Sequence, residues 1–339
     1  MKSMLLKSEN YNTLLDKLIE SGDRIIGPVK ADKITLFSKI SSPEELVLEN
    51  GLTTKSAKGV FFPQSEPILK YSKVGGETKI EDVENFAPPT ILIGVKPCDA
   101  AALEVLDSVF SWDYKDNFYL KRRENTTIIS LGCSEAIDDA CFCTSVGLGP
   151  NSRLGSDIYM EKLSNSDFYL EPVTEKGKEL LSKYQELLEE TEKIEPENQE
   201  EKVPIKFDSS TIKPWLDEHF EDDFWKEMSL KCIGCGTCSF TCPTCHCFDI
   251  VDETRLDKGV RLKNWDSCQF GLFTLHASGH NPRRVQSERY RQRIMHKFKY
   301  YIEKFDKTLC VGCGRCIRAC PVEHSILDYL KEIDSLSKK

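Results

Sequence analysis

Long apolar runs are missing from this chain. No window of its 339 residues approaches the roughly 18 uninterrupted apolar residues of a membrane-spanning helix. The N-terminal MKSMLLKSENYNTLLDKL is charged throughout and does not resemble a secretory leader. No G-x-G-x-x-G follows an apolar strand and no Walker A motif occurs, which excludes the two commonest glycine-rich nucleotide sites. Gly75-Gly76 reads only as a turn. Positive charge is also in deficit: 46 Lys and Arg stand against 55 Asp and Glu, a net −9, which argues against nucleic acid as a partner. What remains is the expectation of a cytoplasmic chain without a membrane span, long enough for two or three domains. Its 15 cysteines are a high count, and in that setting they are expected to bind metal rather than pair as disulfides.

Eight of those cysteines fall into two copies of one pattern. KCIGCGTCSFTCP and TLCVGCGRCIRACP both read C-x2-C-x2-C-x3-C-P, with Cys232, Cys235, Cys238 and Cys242 in the first and Cys310, Cys313, Cys316 and Cys320 in the second. This spacing holds [4Fe-4S] clusters in two-cluster ferredoxins, where the fourth cysteine of each run ligates the other cluster. A tight loop caps three irons with three thiolates, and the fourth ligand comes from elsewhere. The expected sets are Cys232, Cys235, Cys238 and Cys320 for one cluster, and Cys310, Cys313, Cys316 and Cys242 for its neighbour. Zinc or disulfides are the competing readings, and two complete copies disfavour both.

The first half of the chain reads as α/β. Asn12 to Ser21 has one apolar face, with Gly22 as its stop. Ile34 to Phe37 reads as a strand. TILIGV (Thr90 to Val95) and TIISL (Thr127 to Leu131) read as buried parallel strands, with a helix from Asp99 to Phe110 between them. Asp157 to Leu163 and Asp167 to Val173 read as a hairpin. Cys98 and Cys133 each follow one of the two buried strands, so both emerge at the carboxyl edge of the sheet, where α/β sheets build their sites. Cys141 and Cys143, in DDACFCTS, can fold back to the same place. Four thiolates there suit a third [4Fe-4S] cluster; buried packing and a tetrahedral zinc site are the alternatives.

A Glu-rich stretch reads as a solvated helix face fraying into a linker. The expected division is an α/β domain over 1–185, an acidic linker over 186–205 and an α-helical ferredoxin domain over 206–339. The 67 residues between Cys242 and Cys310 far exceed a compact ferredoxin's spacer, and stretches such as Glu288 to Phe305 read as helix.

Cys245, Cys247 and Cys268 belong to neither run. Packing, or contacts that tune a cluster through hydrogen bonds to sulfur, is the preferred reading over direct ligation. The basic run GHNPRRVQSERYRQRIMHKFKY, with Arg293 and Lys297 in it, reads first as a solvated helix face. Charge compensation for the clusters, or docking of an acidic partner, comes second. A sirohaem centre needs C-x5-C followed at distance by C-x3-C, and only pairs already used by the two runs have those spacings.

VKPCDAAAL, FYLKRRENTTIISLGC, CFCTSVGLGP, the two cysteine runs, WDSCQF and HASGHNPRRVQSERYRQRIMHKFKY together resemble the iron–sulfur subunit of anaerobic sulfite reductase. They are equally similar to the beta subunit of soluble sulfhydrogenases. The resemblance spans roughly Ile91 to Tyr329. It implies an electron-transfer subunit between an FAD/NAD(P)H-binding flavoprotein and a catalytic partner. That partner would be a sirohaem sulfite reductase by preference, or a NiFe hydrogenase. Related subunits serve flavin-based complexes that feed heterodisulfide-reductase-like proteins. The resemblance also implies a third cluster outside the ferredoxin domain. Two readings of other classes stand beside it: a self-contained sulfur-compound reductase working at Cys245, Cys247 or Cys268, and a metal-stabilised scaffold that passes no electrons.

Overall fold

The computed structural model describes residues 2–48, 51–84, 86–193 and 202–339. Its strands in chain order are β1 (Ser3–Leu6), β2 (Arg24–Ala31), β3 (Ile34–Lys39), β4 (Ser65–Val74), β5 (Glu77–Glu81), β6 (Thr90–Val95), β7 (Thr126–Leu131), β8 (Ile158–Lys162), β9 (Phe168–Pro172), β10 (Leu188–Thr191), β11 (Phe248–Arg255) and β12 (Lys258–Trp265). Eight of them form the larger sheet, in the order β10-β1-β9-β8-β7-β6-β2-β3. The central strands β2, β6, β7 and β8 run parallel; the flanking pairs are antiparallel. TILIGV and TIISL are therefore parallel neighbours, and their all-apolar composition fits burial on both faces. On one face Ile91, Ile93, Ile129 and Leu131 pack with Leu15 and Leu18 of helix Tyr11–Glu20 and with Leu180 and Leu181 of helix Glu175–Lys183. On the other, Leu92, Val95 and Ile128 pack with Leu103, Leu106 and Phe110 of helix Pro97–Phe110.

Gly94 interrupts the alternation. Its φ is +75°, the pairing to β7 shifts register between Ile93 and Val95, and a Cβ there would stand 2.7 Å from Leu48 Cδ2. Only glycine suits such a bulge. Three residues later Pro97 occupies the first turn of the helix, where its missing N–H costs nothing. This sets Cys98 at the start of the helix, directly over the strand edge.

The division between the halves is less sharp than composition implies. The larger sheet continues to Thr191, past residue 185, through β10 paired with β1. Residues 194–201 of the acidic stretch lie outside the described residues. The long spacer is not purely helical, because it carries the hairpin of β11 and β12. β12 pairs with β4 of the first half, which pairs with β5, giving a second sheet ordered β11-β12-β4-β5. Lys263 of this hairpin is buried against Glu66 at 3.0 Å and Asp116 at 2.7 Å, and Arg122 pairs with the same Glu66.

The second half is otherwise helical. Helix Gln286–Met295 runs through a π-type turn, His296–Tyr300, into Tyr301–Phe305. Trp215, Phe224, Trp225, Tyr290 and Tyr329 form its aromatic core, which Phe142 and Val146 of the first half also enter. Val105 packs on Tyr301 and Leu309. No helix among the described residues is long and apolar enough to cross a membrane.

Candidate iron–sulfur sites

The structure gathers the cysteines into adjoining groups. The first lines a recess with Cys232, Cys235 and Cys238, joined by Cys316 and Cys320 of the other run, and by Arg293, Gln269 and His324. The loop turns at Gly234 and Gly236 with φ of +69° and +76°. Donors point at its sulfurs: Gln286 Nε2 lies 3.2 Å from Cys232 Sγ, and the His324 backbone N–H donates to Cys320 Sγ at 3.2 Å. Cys235 is the exposed member.

The second group is Cys310, Cys313 and Cys316 with Cys242, all enclosed by protein. Burial pushes the Cys313 thiol up to about 11 and the Cys316 thiol to about 12, and Cys242 adds to both shifts. Lys297 Nζ lies 3.4 Å from Cys242 Sγ, 2.7 Å from the Leu309 carbonyl and 3.2 Å from Thr244 Oγ1.

The third group sits where the larger sheet presents its carboxyl edge. Cys98, Cys133, Cys141 and Cys143 line one recess, together with Lys96, Gly312 and Cys313. Burial raises the Cys98 and Cys133 thiols and pushes Cys143 up to about 12. The loop bearing Cys141 and Cys143 rests on the second cysteine run. Phe142 N–H donates to the Gly312 carbonyl at 2.9 Å, and a Cβ on Gly312 would stand 2.5 Å from the Phe142 carbonyl and from Cys143 N. Arg318 clamps Asp138 with two bonds of 2.6 Å and donates to Cys141 Sγ at 3.2 Å.

Buried cations are the feature that sequence reasoning ranked wrongly, charge compensation of the clusters having stood second to a solvated helix face. Arg293 and Lys297, expected on a solvated face, are each 2 % exposed. They lie on the apolar stripe Tyr290, Ile294, Phe298 and Tyr301, so their i, i+4 spacing along that stripe was the available signal. Burial opposes the charge of both, yet nearby thiolates outweigh it and raise both pKa values. Lys58, 3 % exposed, is lowered to about 8 by burial, against the pull of Cys245, Cys242 and Cys247. Arg293 Nε is buried without a hydrogen-bond partner. Buried cations facing sulfurs require negative charge, and cysteine thiolates around an iron–sulfur core supply it. The donor set and recesses fit such clusters.

Cys245 and Cys247 follow the first run, and Cys268 lies beyond the hairpin. Cys245 is hydrogen-bonded to Cys242, and Arg293 Nη1 approaches its sulfur at 3.5 Å. Cys247 is hydrogen-bonded to Cys268. His246 and His296 stack edge to face, and burial lowers them to about 4 and about 3, so both are neutral.

The 4Fe-4S dicluster domain family matches residues 231–324, the stretch that holds both cysteine runs. Over 98 % of its length the chain is 31 % identical to the sulfhydrogenase 2 subunit beta of Pyrococcus furiosus, covering 99 % of that protein. The chain belongs to the sulfhydrogenase beta-subunit family. It is thus an iron–sulfur subunit of the electron-transfer kind, and the family extends over the α/β half as well as the dicluster domain.

Proposed function

We propose that this beta-type subunit relays electrons through three [4Fe-4S] clusters. Cys232, Cys235, Cys238 and Cys320 would hold the first, Cys310, Cys313, Cys316 and Cys242 the second, and Cys98, Cys133, Cys141 and Cys143 the third. Bound there, the clusters supply one-electron carriage. The observation that carries the reading is adjacency. Cys316 lines the first recess and Cys313 lines the third, so one short loop, residues 313–316, touches both flanking sites. The second group is the middle of a line, not a branch.

The protein's own part is positioning and electrostatics. Lys297 and Arg293 hold positive charge against the sulfurs of the inner sites, and Arg318 does so at Cys141. Backbone and amide N–H groups at Cys320 and Cys232 stabilise the more negative, reduced form. Exposed Cys235 marks one end as a port for a partner. The recess at Cys133, rimmed by Lys96 and Glu135, is the other. At that third site a cluster is favoured over zinc: four thiols line one recess, yet among the described residues no three His, Cys, Asp or Glu side chains close on a single ion.

The partners in this reading are a flavoprotein subunit that binds FAD and NAD(P)H and a catalytic subunit, within a cytoplasmic complex. The Pyrococcus relative is named for a hydrogenase, which supports a NiFe hydrogenase partner over the sirohaem sulfite reductase that the sequence alone favours. The deciding experiment is iron and acid-labile sulfide per chain on anaerobically purified protein, read beside reduced-state EPR. About twelve irons support three [4Fe-4S] clusters. About eight would confine the relay to the dicluster domain and sink the three-site reading. Co-purification then separates the acceptors by presence of sirohaem or nickel.

A further inference from the structure

Twelve cysteines serve the three proposed sites, and Cys245 commits its thiol to Cys242. Two remain, and they face each other. Cys247 is the last residue before β11, and Cys268 follows the end of β12 by three residues. The hairpin fixes their approach: Phe248 pairs with Trp265, and Asp266 N–H donates to the Cys247 carbonyl at 2.9 Å. The two thiols lie near enough for each to shift the other's charge. Both are half-buried, not sealed.

The surroundings are built for a sulfur that changes charge. Gln269 Nε2 approaches Cys268 Sγ at 3.4 Å, and Ser239 adds a further hydrogen bond. The hydrogen bond from Cys247 holds Cys268 well below the usual thiol range, and the Arg293 cation reinforces it. Cys247 is raised correspondingly. A thiolate beside a thiol is the form a dithiol takes when it can close to a disulfide. Simple packing would not need donors directed at one sulfur.

The position matters as much as the pair. Cys268 lies in the field of Cys238 of the first group. Cys247 lies in the field of Cys245, which touches Cys242 of the second group. The dithiol thus stands beside both groups of the dicluster domain.

We propose that Cys247 and Cys268 form a reversible disulfide that stores two electrons beside the one-electron clusters, resting on the relay reading for its electron source. In reduction the Cys247–Cys268 S–S bond breaks. Each sulfur gains one electron, the electrons arriving singly from two reduced [4Fe-4S] clusters; Cys247 takes one proton from solvent and Cys268 is left as the thiolate. Oxidation runs the same balance backwards, forming the S–S bond and returning two electrons and the one proton of Cys247.

The test uses the full cluster-loaded chain, poised anaerobically across a series of dithiol/disulfide buffers. Samples are quenched in acid, alkylated in denaturant and digested without reductant. The expected result is a peptide pair linked through Cys247 and Cys268 at the oxidising end. It is replaced by two alkylated cysteines at the reducing end, with a two-electron Nernst slope. Cys268→Ser is expected to keep the wild-type iron content and to take up two fewer electrons per chain in a coulometric titration. Free alkylation of both residues at every potential overturns the proposal. So does loss of about four irons in Cys268→Ser, which would make the residue a cluster ligand. An iron count of eight in the wild type removes the third site but leaves this test intact, because the dithiol borders only the first two groups.

Discussion

Arg315 and Asp99 form a buried bidentate ion pair, with bonds of 2.5 and 2.6 Å, that joins the residue after Cys98 to the residue before Cys316. Burial opposes the Arg315 charge, and Asp99 with the neighbouring thiolates more than offsets this. Thr53 takes two further bonds from the same guanidinium. Asp99→Asn removes the largest part of that compensation and is expected to cost about 3–5 kcal/mol. Thermal unfolding of the variant should show a clearly lower midpoint. The double change Asp99→Leu with Arg315→Met should lose much less than the sum of the singles, and strict additivity would deny the coupling.

Gly312→Ala should damage two sites at once. Its φ is +64°, and the new Cβ would meet the backbone of Phe142 and Cys143, atoms that cannot turn aside. Iron bound per chain is expected to fall by more than one cluster's worth, about four. Gly59→Ala, which has open space around it, serves as the control and should bind iron as the wild type does.

Replacing Lys297 by Met removes a positive charge 3.4 Å from Cys242 Sγ while keeping the side chain's bulk. Net charge and hydrogen bonds to sulfur set cluster potentials. An EPR-monitored redox titration should therefore move one cluster to a more negative potential and leave the third-site signal in place. An unmoved titration would detach Lys297 from the electron path.

Serine at any of Cys98, Cys133, Cys141 or Cys143 is expected to lower iron by about four atoms per chain and to leave two [4Fe-4S] clusters. Retention of full iron by all four variants would return these residues to a packing role.

The segment 206–339 expressed alone should not bind iron as the full chain does. It would lose β4 from beside β12, and Glu66 from beside the buried Lys263. Iron content and far-ultraviolet circular dichroism of that fragment check this. A folded, two-cluster fragment would show that the shared sheet is dispensable.

Much of this was legible in the sequence because the signals are local. The strands TILIGV and TIISL declare themselves by unbroken apolar runs, the cysteine loops by spacing, and the hairpin of β8 and β9 by the Ser164–Ser166 turn. The features that were not legible depend on distant partners. Nothing within Lys258–Trp265 announces that it pairs with Ser65–Val74. Arg293 and Lys297 read as surface charge because most cations are solvated; only the thiols packed against them explain their burial. Cys247 and Cys268 are separated by a whole hairpin, so their contact exists only once β11 and β12 are in register.

The rest of Gly312 against Phe142 has a consequence for biogenesis. Cys141 and Cys143 leave the ribosome well before the loop that covers them, and β4 waits equally long for β12. Through that interval the nascent chain carries four unprotected thiols and an open strand edge. Its pairing is of the long-range kind that folds slowly. Metal loading of the α/β half should therefore be a late event, following completion of synthesis, and the intermediate should be the species most in need of escort and most sensitive to oxygen.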